Sequence, residues 1–389
     1  MKTLVKEREG LVVSKRIVIF GSTGTLGRKS FDLALKLGFK IVGLTAFKNL
    51  EGINKQVEIA KPSFIALDGQ FIHNFESANT KVCALENVHE CLLEVKPDLV
   101  LFLASGISSA QSIKVCIDNG IRIGIANKES IISFGEILFE NREYGDNVIP
   151  IDSEASAVFQ ILKGEEKESI EKIIITASGG PFFGYKRETL QRVNLDDVLK
   201  HPNWQMGKKI TVDSANLVNK AFEIIETHFL FNVPYSIIEA LVQRESVIHA
   251  MVEFVDGEIK ALLSKPDMLL PIQYALTYPQ RVEFNLQRLD LASLGKLTFY
   301  EIDRETFPLF DVILNYAMLG GTYLPSIVAI DEVLVEKFIN GEIKFLDIER
   351  LFIEFLSKVE YQKIGSLEEA KFVYNEIKNK VIEFVRRKI

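Results

Sequence analysis

The chain has 389 residues, a formal net charge of −7 and 47% hydrophobic residues. That length exceeds one ordinary core and implies two or three domains, and the apolar share leaves little room for disorder. The acidic balance argues against nonspecific nucleic-acid binding, yet leaves room for a small basic pocket.

Residues 1–14 mix Lys, Arg and Glu without a long apolar core, unlike a signal peptide. No apolar run approaches the ~20 residues that a bilayer span needs. Cys83, Cys91 and Cys116 form no CxxC pair and no zinc spacing, which fits a reducing compartment. The chain reads as soluble and cytoplasmic, with neither a membrane nor a nucleic acid as partner.

In chain order, short apolar runs at Arg16–Phe20, Lys40–Thr45, Ser63–Leu67, Leu99–Ala104 and Ile121–Ala126 alternate with amphipathic stretches. Such alternation predicts a parallel α/β sheet with helices on both faces, a Rossmann-like domain over residues 1–150. Residues 151–277 differ. Apolar strands at Lys172–Thr176 and Ser246–Phe254 are separated by long segments rich in Gly, Pro, His, Asn and Ser. These are the marks of a catalytic α/β domain with functional loops. Periodicity weakens over 278–305, a predicted linker, and 306–389 reads as a C-terminal helical bundle.

Gly21-Ser22-Thr23-Gly24-Thr25-Leu26-Gly27 follows the first strand and opens a helix. Glycines let a backbone approach a pyrophosphate closely, and a helix N-terminus offers it free N–H groups. The spacing is GxxGxxG rather than GxGxxG, so a turn without a ligand is the competing reading. Dinucleotide sites for NAD place an acid roughly 20 residues further on. Here that stretch reads Ala46-Phe47-Lys48-Asn49. Lys48 would attract a 2′-phosphate, which favours NADP, unless it is an ordinary surface lysine; Glu51 nearby weighs the other way.

Asp152-Ser153-Glu154 ends the apolar run Val148–Ile151. At the end of a strand, Asp152 and Glu154 would share one face and, with a third acid, make an oxygen site for Mg²⁺ or Mn²⁺. The alternative is a helix cap before Ala155–Leu162. Ser178-Gly179-Gly180 suits a turn facing an anion. A helix is predicted from Asp213 to about Phe231. On it Asn219, Lys220 and Glu223 are neighbours, either holding a phosphate and a metal or forming a surface ion pair. His201-Pro202-Asn203-Trp204-Gln205-Met206-Gly207 carries the chain's single Trp and suits a lid over a substrate, or a Trp anchoring a loop to the core.

Together these segments resemble the 1-deoxy-D-xylulose 5-phosphate reductoisomerase family. The runs that carry the resemblance are GSTGTLG (21–27), ANKES (126–130), IDSE (151–154), ASGGPF (177–182), HPNWQMG (201–207), VDSANLVNKAFE (212–223), SVIHAMVEF (246–254) and KPDMLLPIQYAL (265–276). It implies an NADPH- and metal-dependent rearrangement and reduction of a phosphorylated ketose, in the non-mevalonate isoprenoid pathway, by a homodimer. Magnesium or manganese, with cobalt as a further option, would sit on Asp152, Glu154 and Glu223. Ser178, Ser214, Asn219 and Lys220 would hold the substrate phosphate with His201 nearby, Ser153 and Lys128 would contact hydroxyls, and Trp204 would cover the substrate. Gly21, Ser22, Thr23, Gly24, Thr25, Leu26, Lys48, Asn49, Asn127, Glu129, Met206 and Gly207 would contact NADPH. Of these, Lys128, Asp152, Glu154, His201 and Glu223 would be catalytic.

The chain departs from the family twice. Ala155 stands where His is usual after Asp-Ser-Glu, and Ala221 where Gly is usual after Asn-Lys. The first removes a candidate proton carrier. Two rivals are a semialdehyde dehydrogenase, which would need a cysteine in a loop with a partner His, and a nucleotide-sensing regulatory protein, against which the dense acid and phosphate-loop motifs count.

Overall fold

The computed structural model describes residues 15–75, 79–140, 145, 147–200 and 207–388. The first part is built on β1 (Arg16–Phe20), α1 (Thr25–Lys36), β2 (Lys40–Thr45), α2 (Leu50–Ala60), β3 (Phe64–Leu67), β4 (Lys81–Ala84), α3 (Val88–Val95), β5 (Leu99–Phe102), α4 (Ala110–Asp118), β6 (Arg122–Ile125), α5 (Lys128–Leu138) and β7 (Val148–Pro150). The strands form one seven-stranded sheet in the order β4-β3-β2-β1-β5-β6-β7, and each pairing is parallel. Because helices cover both faces, the central strands are apolar on both sides, and β5 is buried throughout. The strand order reverses beside β1. The crevice there lies at the carboxyl ends of β1 and β5, the usual ligand position in an open parallel sheet.

The chain then runs through α6 (Ser153–Ile161), β8 (Ile170–Ala177), α7 (Arg187–Leu190), α8 (Leu195–Val198), α9 (Lys208–Ala215), α10 (Val218–Phe231), β9 (Ile238–Gln243), β10 (Ile248–Phe254), β11 (Ile259–Leu263), α11 (Leu269–Thr277), α12 (Leu291–Leu294) and β12 (Phe299–Glu301). A second, mixed sheet has the order β11-β10-β8-β9-β12. Helices α13 (Leu309–Ala317), α14 (Tyr323–Ile339), α15 (Phe345–Leu356) and α16 (Leu367–Lys388) complete the chain. Helix α14 is almost wholly buried, packed against α13, α15 and α16 and also against α5 and α9. Among the described residues, no helix is long and apolar enough to cross a membrane.

Three local expectations are corrected. The predicted linker ends in a strand: Tyr300 of β12 pairs with Val242 of β9. That strand is short and exposed, so no alternation marks it. Glu245 fixes it by accepting from the Thr298 backbone N–H at 3.1 Å and from its hydroxyl at 2.8 Å. The helix predicted from Asp213 to Phe231 is two helices. Leu217 turns the chain at φ 63°, and the Asn216 side chain accepts from Val218 N–H. Asp152 and Glu154 do not alternate along a strand. Asp152 stands at the N-cap of α6 and Glu154 lies in its first turn.

Candidate active site

A cavity of about 660 Å³ opens between the first sheet, the second sheet and α9–α10. Thr25 and Leu26 line one end; Asp152, Glu154, Ser178, Ser214, Lys220 and Glu223 line the other. The residues predicted from separate motifs therefore meet around one space.

The glycine loop is held from beneath. Gly21 N–H donates to the Thr45 hydroxyl at 3.0 Å and Ser22 N–H to the Thr45 carbonyl at 2.9 Å, tying the loop to the end of β2. The buried Ser22 hydroxyl donates to Gln56 at 2.7 Å, so its side chain braces the loop rather than facing a ligand. A Cβ on Gly27 would lie 2.0 Å from the Gly21 carbonyl oxygen, and one on Gly21, at φ +71°, 2.8 Å from Ala104 backbone. These positions exclude any larger residue. Gly24 is the N-cap of α1 and supplies no side-chain cap, which leaves first-turn N–H groups for an anion. Lys48 is exposed three residues past Thr45, between β2 and α2. The Asn49 side chain accepts from Gly52 N–H and so caps α2. Buried Asn127 donates to the carbonyls of Ala104 and Gly106, which steadies the segment that Gly21 packs on.

At the other end, Asp152, Glu154 and Glu223 each bring a carboxylate oxygen within 4.8 Å of the others. Three carboxylates this close repel unless cations intervene. Lys128 Nζ lies 2.6 Å from Asp152 and 3.1 Å from Glu223, and donates to Asn219 Oδ1 at 2.7 Å. Lys220 Nζ contacts Glu223, donates to the Thr176 carbonyl, and lies 3.5 Å from Glu154. Burial alone would raise the Asp152 carboxyl, but the Lys128 ammonium overrides it and holds the group at about 2. Glu154 goes the other way: burial and the Glu223 charge push it to about 8, against Lys220. The acidic surplus and the all-oxygen donor set fit a hard divalent cation, which would neutralise the cluster without a proton.

Lys220 and Asn219 were expected to face a phosphate, and Lys128 and Ser153 substrate hydroxyls. In this structure Lys128, Asn219 and Lys220 are bonded into the carboxylate cluster instead, and the Ser153 hydroxyl donates to Glu154 at 2.6 Å. The reason is electrostatic: buried carboxylates take the nearest donors. The readings of Glu223 as metal ligand and as Lys220 partner are thus compatible in one geometry. Ser178 lies in the turn after β8, where Gly179 and Gly180 have φ of 78° and 63° and Gly180 N–H donates to the Ser178 hydroxyl. Ser214 ends α9 on the cavity wall, and Gly207 is the N-cap of that helix. Glu129 lines the cavity, and burial raises its carboxyl. His201, Trp204 and Met206, with the whole predicted lid up to Gly207, lie outside the described residues. Ala155 and Ala221 are both buried, in α6 and α10.

Several residues of the site escaped the sequence reading. Buried His249, in β10, lines the cavity; burial and the Lys220 charge depress it to about 4, so it is neutral at pH 7. Glu226 is fully buried on α10, and burial followed by the Asp152 charge raises its carboxyl well above the ordinary value. An acid one turn past Glu223 among Phe222, Ile224 and Ile225 was the available signal. Lys29 and Lys209 also line the cavity. Arg244 donates to the Ser178 and Gly180 carbonyls at 2.5 and 3.2 Å, fixing the turn from behind.

Comparison with known proteins finds matches along most of the chain. The family model for 1-deoxy-D-xylulose 5-phosphate reductoisomerase matches residues 17–135, and models of its C-terminal domains match 148–231 and 263–380. The chain is 41% identical over 342 residues to the 1-deoxy-D-xylulose 5-phosphate reductoisomerase of Macrococcus caseolyticus, covering 87% of this chain and 91% of that one. It is 40% identical over 352 residues to the enzyme of that name from Caldanaerobacter subterraneus, covering 88% and 92%. Among solved structures, the Zymomonas mobilis reductoisomerase in complex with NADPH superposes with a TM-score of 0.88 at 28% identity, over 95% of this chain and 99% of that one. A DOX-P reductoisomerase in complex with NADPH, fosmidomycin and magnesium gives 0.86 at 26% identity, over 96% and 98%.

Proposed function

The chain belongs to the 1-deoxy-D-xylulose 5-phosphate reductoisomerase family, and from that premise we propose that it converts 1-deoxy-D-xylulose 5-phosphate to 2-C-methyl-D-erythritol 4-phosphate with NADPH and a divalent metal. The observation that carries this reading is the single cavity in which the glycine loop and the three-carboxylate cluster face the same space. A simple dehydrogenase needs only the first of these; a reaction that rearranges a carbon skeleton before reducing it needs both.

In this reading Asp152, Glu154 and Glu223 hold the metal, magnesium foremost and manganese or cobalt as substitutes. A cation so held supplies Lewis-acid polarisation of the ketone and hydroxyl oxygens. Lys128 sits against Asp152 and Glu223, placing an ammonium beside the substrate hydroxyls, where it can orient them. Ser178 and Ser214 would take the phosphate, joined by Asn219 and Lys220 once a cation relieves the carboxylate that these two now bond, and neutral His249 adds an imidazole near Lys220. Binding energy from the phosphate, remote from the reacting carbons, supports their orientation. The glycine loop and the start of α1 would hold the pyrophosphate of NADPH, which would supply the hydride. The pathway is that of isoprenoid precursors, and the place of work is the cytoplasm. The test is NADPH oxidation on adding the ketose phosphate, with magnesium and with a chelator; turnover that ignores the ketose would refute the assignment.

Lys48 is assigned to the cofactor's 2′-phosphate, from its exposed position just past Thr45, the residue that holds the glycine loop. Lys48→Glu should raise the KM for NADPH by about 10-fold or more and change the KM for NADH little, because a carboxylate there repels a phosphate dianion. An unchanged preference between the two cofactors would remove Lys48 from that role.

Two copies are proposed to form the working enzyme. The edge strand β12 leaves Phe299 and Tyr300 exposed, and Leu291 lies nearby in sequence, a pattern that an isolated edge rarely presents. Sedimentation should give a mass near 88 kDa, twice the 44.0 kDa chain; a monomer at micromolar concentration would contradict this.

A further inference from the structure

A second charge cluster, distinct from the three carboxylates, runs from the cavity wall, where Lys209 and Asp213 line it, to the buried Asp331 behind. Lys209, on the first turn of α9, places Nζ 2.7 Å from Asp213 on the same helix and 2.5 Å from Asp331 on α14. Asp331 is fully buried among Ile327, Val328, Ile330 and Leu334 and does not line the cavity. Its Oδ1, like that of Asp213, has no hydrogen-bond partner among the described residues. A charge so placed in an apolar helix is costly unless it does something that an apolar residue could not. Its one ion pair among the described residues is Lys209.

Helix α9 is the element that this pair holds. It carries Ser214 at its C-terminal end, and the Ser178–Gly180 turn is seated on that end: a Cβ on Gly180 would lie 2.9 Å from the Ser214 carbonyl oxygen. A shift of α9 therefore moves Ser214 and the turn together. The metal carboxylates sit elsewhere, at the start of α6 and on α10, beyond the break at Leu217.

We propose that Asp331 is a positioning residue that, through Lys209, anchors α9 to the C-terminal helices and so sets the phosphate-holding wall of the cavity. The inference rests on the reading of Ser178 and Ser214 as phosphate ligands. Its consequence is a separation of effects: loss of the anchor loosens the hold on the phosphorylated end of the substrate and leaves the metal carboxylates and the glycine loop in place.

The test compares Asp331→Ala, Asp331→Asn, Lys209→Met and Ser214→Ala in the full-length protein, with 1-deoxy-D-xylulose 5-phosphate as substrate. For Asp331→Ala the expected result is a KM for the ketose phosphate raised about 10- to 100-fold, since a misplacement of about 1 Å can have effects of that size. The affinity for magnesium by calorimetry should stay within about threefold, because its carboxylates lie on α6 and α10. Asp331→Asn keeps an oxygen for Lys209 and should restore most of the loss. A KM unchanged in Asp331→Ala, or a magnesium affinity that falls as far as the KM rises, overturns the proposal; so does an Asn variant as poor as Ala. If Asp331→Ala does not fold, Lys209→Met, which cuts the same link from the cavity side, decides by the same criteria. Ser214→Ala separates the premise: an unchanged KM there shows that the phosphate reading has failed, whatever Asp331 does.

Discussion

Glu223→Gln should lower kcat/KM by about 10³-fold or more, an effect of ~4 kcal/mol on the transition state. Glu223 is the hub of the carboxylate cluster. One of its oxygens takes Lys128 and Asn219, the other takes Lys220, and the carboxylate also faces Asp152 and Glu154. An amide puts an N–H₂ where one of those donors now points, so the variant loses a charge and gains a donor clash. Both lysines then keep fewer carboxylates, and the site loses a third of its anionic donors for the cation. Calorimetry should show weakened magnesium binding, while NADPH affinity stays close to wild type because the glycine loop lies at the far end of the cavity. If magnesium affinity survives, Glu223 serves as the partner of Lys220 and is no metal ligand.

Gly27→Ala should weaken NADPH binding by about 10- to 100-fold, which corresponds to ~1.4–2.8 kcal/mol. The new methyl would meet Gly21 oxygen at 2.0 Å and Ser22 backbone at 2.6 Å. No side-chain rotation relieves a clash with backbone, so the loop must leave the arrangement that Thr45 and Gln56 hold. Overpacking of this kind costs about 1–3 kcal/mol, paid by the loop when it returns to a binding shape. Fluorescence titration with NADPH measures it. An unchanged dissociation constant would mean that the loop does not hold the cofactor.

The sequence made the first sheet and its glycine loop readable because its signals are local: apolar runs at strand length, glycines between strand and helix, and a lysine in place of an acid. The carboxylate cluster was readable as composition and not as geometry. Of the two readings of Asp152 and Glu154, a shared strand face and a helix start, the structure shows the helix start, and Glu223 arrives from a helix 69 residues further along. Motif resemblance supplied that pairing; periodicity could not. The break at Leu217 was hidden because a leucine in the left-handed region leaves no sequence signature. Strand β12 was hidden because its partner is a residue pattern on β9 and a capping Glu245, both remote in sequence. Asp331 and Glu226 were visible as single acids within apolar helices. Only the packing shows which ammonium or carboxyl each one meets.

The most direct test is the structure of the product formed from ¹³C-labelled 1-deoxy-D-xylulose 5-phosphate and NADPH, read by NMR with magnesium and with a chelator. One cavity holding both a metal cluster and a hydride donor should give the branched 2-C-methyl-D-erythritol 4-phosphate with magnesium, and no turnover without it. An unbranched reduced sugar phosphate, or product formed equally well in the chelator, would contradict it.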